Sequence, residues 1–109
     1  SRRNQTLESI MNLTPRNNDD EIQEALDILQ EECAEVIQEV SKCRRFGLES
    51  VHYKSGVRHG TQLEMEIGDV LAMIDILVEQ GVIDRDGLEL ASENKKLKLL
   101  KWSNIYGKN

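Results

Sequence analysis

Ile22, Leu26, Leu29, Cys33, Val36, Ile37 and Val40 recur at steps of three and four residues, which lays them in one stripe along a helix. Asn18, Asp19 and Asp20 stand ahead of this stripe and offer an N-cap followed by acids, which suit the positive end of a helix dipole. The pattern predicts a long helix running to about Arg45, with Gly47 as its stop. From Thr61 a second stripe forms, with Leu63, Ile67, Val70, Leu71, Ile74, Leu77 and Val78 on one face until Gly81. Asp84 or Asp86 then caps a last helix, which carries Leu88, Leu90, Ala91, Leu97, Leu99, Leu100 and Trp102 to about Ser103. Residues 2–13 read as a shorter helix bearing Leu7, Ile10, Met11 and Leu13, ended by the Thr14-Pro15 step. Between 47 and 60, Gly, Ser, His and charged residues mix without either period, which predicts a mobile loop, and the residues after 103 read as a frayed tail.

Composition sharpens this reading. One Pro and four aromatic residues in 109 favour helices over strands, so the expected fold is all-α, one domain over residues 1–109. Few large side chains are available to fill a core, so pairing with further copies of the chain is expected. The net charge of −6 argues against a protein that coats a nucleic-acid polymer, since that task requires Lys and Arg to neutralise phosphates. No apolar run approaches the roughly 20 residues needed to cross a bilayer, and no cleavable leader is evident. Cys33 and Cys43 stand on one helix about 15 Å apart along its axis, beyond disulfide reach. Reduced thiols, no membrane partner and a cytoplasmic location are the expectation, with Cys33 as buried filler on the core stripe.

The acids are patterned as well. Glu32, Glu35 and Glu39 line one edge of the long helix, beside its apolar stripe, and Glu66 and Asp69 sit three apart on the border of the next stripe. Like charges at such spacings cost a helix a few tenths of a kcal/mol per pair, which points to a bound cation. If the two helices pack antiparallel, Glu32, Glu35, Glu66 and Asp69 converge in an oxygen-only pocket suited to Mg²⁺ or Mn²⁺. A di-iron site would draw histidines from the helices, whereas His52 and His59 both fall in the loop. Each acid pair taken singly is more often the mark of a solvated helix face than of a metal site, and it is the two pairs together that raise the metal reading. Met65, Ala72 and Ile76 give the second acidic helix another apolar side, a surface for a partner helix.

Glu31-Glu32-Cys33-Ala34-Glu35 matches an EExxE element, and Glu66-Ile67-Gly68-Asp69 an ExxD element, in the order and on the helices where MazG-like nucleoside triphosphate pyrophosphohydrolases carry them. The chain resembles that family over about residues 20–103, including LEMEIGDVLAMIDIL, the CRRFG that closes the long helix and KLLKWSNI. The resemblance implies a four-helix-bundle fold completed as a homodimer or homotetramer, with Mg²⁺ held by Glu32, Glu35, Glu66 and Asp69 and with Glu31 and Glu39 as outer candidates. It implies hydrolysis of a (deoxy)nucleoside triphosphate to monophosphate and pyrophosphate by water attacking the α-phosphorus, a house-cleaning activity on the nucleotide pool. Glu35, with Glu32 beside it, would be the catalytic carboxylate that orients or deprotonates that water. Asn94, Lys95 and Lys98 of the last helix would bind the nucleotide. One departure is Met73, four residues past the ExxD aspartate, where some relatives carry an aromatic residue for the base.

Arg44 and Arg45 suit the negative end of the long helix, and Arg45 is also a candidate phosphate contact. Lys54, Arg58 and His59 could close over a triphosphate from the loop. KKLKLLKW is expected to complete the bundle with its leucines inward, and Trp102 to pack or lie at an interface. DRDGLELASE lacks the third acid of a calcium loop. Two readings compete with the enzyme: a non-catalytic helical interaction protein, and a regulatory protein that senses a nucleotide without turnover.

Overall fold

The computed structural model describes residues 13–107 together with Leu7, Ser9 and Ile10. The helix expected over 2–13 therefore lies for the most part outside the described residues. Three helices follow: α1 (Asp19–Phe46), α2 (His59–Glu79) and α3 (Arg85–Trp102). Among the described residues there is no strand, only an isolated antiparallel bridge between Val51 and Arg58, so the all-α expectation holds.

Helix α1 begins after Asn18, which takes the N-cap position without a side-chain bond. Asp19, Asp20 and Glu21 in its first turn and Arg44 and Arg45 in its last complement the dipole at both ends. Gly47 ends it at φ +93°, a left-handed geometry that a side chain would oppose, and returns its N–H to Cys43 O at 2.9 Å. Gly81, at φ +78°, turns the chain after α2. Asp84 caps α3 by accepting from the Gly87 N–H at 3.0 Å.

The Gln80 side chain, past the end of α2, donates to Arg16 O just ahead of α1 and to Glu21 O in its first turn, while Cys43 near the end of α1 donates to His59 O. Helices α1 and α2 therefore form an antiparallel pair. Along α1 the positions turned to α2 are Ile22, Ala25, Leu29, Glu32, Val36, Glu39 and Cys43, steps of three and four that make a coiled-coil-like seam. Opposite them run His59, Gln62, Glu66, Val70, Met73, Leu77 and Gln80. One half of this seam is apolar: Ala25, Met73 and Leu77 are buried, with Ile28, Leu29, Ile76 and Ile83 against them. Its other half is polar, with Glu39 and His59 each only 4% exposed.

This seam differs from the stripe expected on α1. Cys33 is exposed, and Cys43 is the buried thiol. Leu26, Ile37 and Val40 are exposed too, as are Ile67 and Leu71 of α2. At about 100° per residue, Leu26, Cys33, Ile37 and Val40 fall on the same side of the pair as Ile67, Leu71, Ile74 and Val78, opposite the side that carries Glu35 and Asp69. The sequence holds more apolar positions than one two-helix seam can cover, and the extra ones form a second face.

Helix α3 does not close a bundle within the single chain. None of its residues is buried, and Leu97, Leu100 and Trp102 lie exposed instead of closing the bundle. The chain alone is accordingly open. It exposes 9043 Å², against about 6,200 Å² for a compact monomer of its mass. Its radius of gyration is 17.5 Å, against about 13 Å for a compact chain of this length.

Candidate metal centre

The polar half of the seam brings acids together from both helices. Glu32 of α1 and Glu66 and Asp69 of α2 each offer a carboxylate oxygen within 4.8 Å of the others. Glu32 and Glu66 are half-buried and Asp69 is exposed, so the group opens to solvent on one side. Gln62, one turn before Glu66, donates to its Oε1 at 2.8 Å and fixes that carboxylate. Among the described residues, no Lys or Arg is ion-paired with any of the three. The Glu32 carboxyl is accordingly pushed above the ordinary glutamate value, first by partial desolvation, then by the charges of Asp69 and Glu66, a hydrogen bond with Asp69 and the charge of Glu35. Three unneutralised carboxylates with only oxygen donors fit a hard divalent cation such as Mg²⁺, and these side chains would hold it.

Of the four ligands expected, then, Glu32, Glu66 and Asp69 converge. Glu35 stands beside them: it lies close enough to act on the Glu32 carboxyl, and with Glu66 it lines an open trough of about 240 Å³. The trough runs on past Gln38, Lys42 and Gln62 to His52, Ser55 and His59. Glu31 is exposed. Glu39 lines the trough as well, and its Oε1 takes a 3.1 Å hydrogen bond from His59 Nδ1 inside the seam. The histidine gives this buried acid a hydrogen-bond partner.

The residues expected around the nucleotide do not line this trough. Asn94, Lys95 and Lys98 are exposed on α3, and none lines the trough. Arg45 lies over the Phe46 ring at 5.0 Å and borders a separate groove with Ile37 and Val40. The cation that does line the trough is Lys42, half-buried on α1. Its position, seven residues after Glu35 and three after Glu39, sets it on the acidic edge of the helix, a signal readable from spacing alone.

The segment between α1 and α2 is more ordered than an irregular loop. His52 N–H bonds to Val57 O, His59 N–H to Ser50 O and Gly60 N–H to Leu48 O, each at 2.8 Å. Arg58 is occupied here as well, donating to Glu49 Oε1 at 2.8 Å and to Thr61 Oγ1 at 3.3 Å. With His59 buried against Glu39, only Lys54 of the three proposed loop contacts stays exposed and outside an ion pair. No described helix is long and apolar enough to cross a membrane. No protein-family model matches the chain, and no curated protein or solved structure matches it.

Proposed function

We propose that the chain is a divalent-metal-dependent nucleoside triphosphate pyrophosphohydrolase of the MazG-like kind, converting a (deoxy)nucleoside triphosphate to its monophosphate and pyrophosphate. The observation that carries the reading is the convergence of Glu32 from α1 with Glu66 and Asp69 from α2, the acids of the EExxE and ExxD elements. When bound, Mg²⁺ neutralises charge on the phosphate oxygens and lowers the pKa of a coordinated water. Glu32, Glu66 and Asp69 supply its oxygen ligands. Glu35, on the trough wall beside them, orients a water and accepts its proton. Lys42 offers the trough its positive charge and steadies the phosphates as the α-phosphorus is attacked.

The working unit of this reading is a homodimer or homotetramer, supported by the excess of exposed surface and by the apolar face opposite the acids. Asn94, Lys95 and Lys98, which do not line the trough of their own chain, would be brought to a trough by such an assembly. Pyrophosphate release from a panel of NTPs and dNTPs with Mg²⁺ or Mn²⁺ tests the reaction. Release that EDTA abolishes and that Glu66→Gln lacks is expected. No release from any nucleotide would turn the reading toward a nucleotide sensor, or toward a helical interaction protein using its apolar face.

A further inference from the structure

The rings between α1 and α2 surround a second cavity of about 290 Å³, mostly apolar, that shares Lys42, His52 and His59 with the acidic trough. Phe46 stacks on His59 with centroids 5.5 Å apart and planes at 21°, and His52 stacks on Tyr53 at 5.2 Å and 17°. His52 and His59 meet edge-on at 6.0 Å. We propose that this cavity is a nucleobase slot, in which the planar base of the triphosphate lies among Phe46, His52, Tyr53 and His59 while its phosphates reach the carboxylates. The proposal rests on the nucleotide reading above and assigns the base to particular side chains.

Several features of the slot fit a flat, polar-edged ligand better than an aliphatic one. Its rings offer stacking surface: Tyr53 is 84% exposed and Phe46 53%, so neither ring is spent on the core. The backbone bonds of the loop hold those rings in position, and Gly56 N–H closes the turn onto His52 O at 2.9 Å. The two histidines present opposite chemistry. His52 Nδ1 accepts from the N–H groups of Lys54 and Ser55, at 3.2 and 3.4 Å, so the neutral ring carries its proton on Nε2 as a donor. His59 Nδ1 donates to Glu39, so the neutral ring keeps Nε2 as an acceptor. A base edge carries both kinds of group. Lys42, shared by both cavities, stands between the rings and the acids, where a phosphate would pass. The slot also supplies the stacking that Met73, buried in the seam, does not.

The test is a titration with the four ribonucleoside monophosphates and, as a probe without a base, ribose 5-phosphate, following backbone amide shifts and dissociation constants. At least one monophosphate is expected to bind about tenfold more tightly than ribose 5-phosphate, with its shifts centred on residues 46–59. Tyr53→Ala and Phe46→Ala, both at exposed rings, should erase most of that difference and leave Mn²⁺ binding as in the wild type. Ribose 5-phosphate binding as tightly as every monophosphate, shifts centred away from 46–59, or unchanged base preference in both variants would each overturn the slot. Base binding in the slot without pyrophosphate release would remove the hydrolytic reading and leave the slot standing. Turnover whose KM for every base is unmoved in both variants would do the reverse.

Discussion

On the proposed reading Asp69 and Glu35 serve the chemistry in different ways, and their variants should separate accordingly. Asp69 belongs to the converging trio, so Asp69→Asn is expected to weaken Mg²⁺ binding and lower turnover at least about a hundredfold. Glu35 borders the trio without joining it, so Glu35→Gln should cost a similar factor in turnover while binding metal nearly as the wild type does. Calorimetric Mg²⁺ titration beside steady-state kinetics checks both, and activity within threefold of wild type in the two variants would remove this assignment. Glu32 adds a pH signature. Its folded-state value is raised by desolvation and by Asp69, Glu66 and Glu35, so between its unfolded and folded values the native state holds a proton that the unfolded chain releases. Stability of the metal-free protein should therefore fall as pH rises through that window and level off above it. Mg²⁺, or Glu32→Gln, should flatten the slope in urea titrations run across pH. A slope unchanged by Glu32→Gln would assign the effect to other groups.

The helix ends were legible because their signals are local. The dipole-matched charges of α1, the stops at Gly47 and Gly81 and the Asp84 cap each act within a turn of chain. The pairing of the EExxE and ExxD acids was legible for the same reason, as each needs only helical periodicity and an antiparallel neighbour. The seam was not, because counting apolar residues assigns Cys33 and Ile37 to it, whereas the packed positions include Glu32 and Glu39. An acid at a seam position is tolerated only where a partner satisfies it. That partner, His59, begins α2 and is brought to Glu39 by loop hydrogen bonds that no sequence period encodes. The apolar half then has to hold the pair together with few residues, among which Leu77 is the most deeply buried at 1% exposure. Leu77→Ala should cost about 3 kcal/mol of unfolding free energy, read by helical CD in urea. A loss below about 1 kcal/mol would mean that the α1–α2 seam is not the main source of cohesion.

At the scale of the whole molecule, the chain exposes on one side a site and on the other an apolar face, with α3 buried against neither. Leu26, Ile37, Val40 and Leu71 are exposed together, and on the proposed reading a second copy covers that face and closes the two-helix pair into a four-helix bundle. Ile37→Glu with Leu71→Glu should shift the assembly to monomers in sedimentation equilibrium, and an unchanged mass would locate the contact elsewhere. None of this bears on chemistry unless the acids hold a cation, which is the central claim. The most direct measurement is Mn²⁺ binding followed by electron paramagnetic resonance, in the wild type and in Glu66→Gln and Asp69→Asn, with helical CD as the folding control. Saturable Mn²⁺ uptake by the wild type, competed by Mg²⁺ and lost in both folded variants, is the predicted result. Equal uptake by all three proteins, or none by the wild type with or without a nucleoside triphosphate, would contradict it.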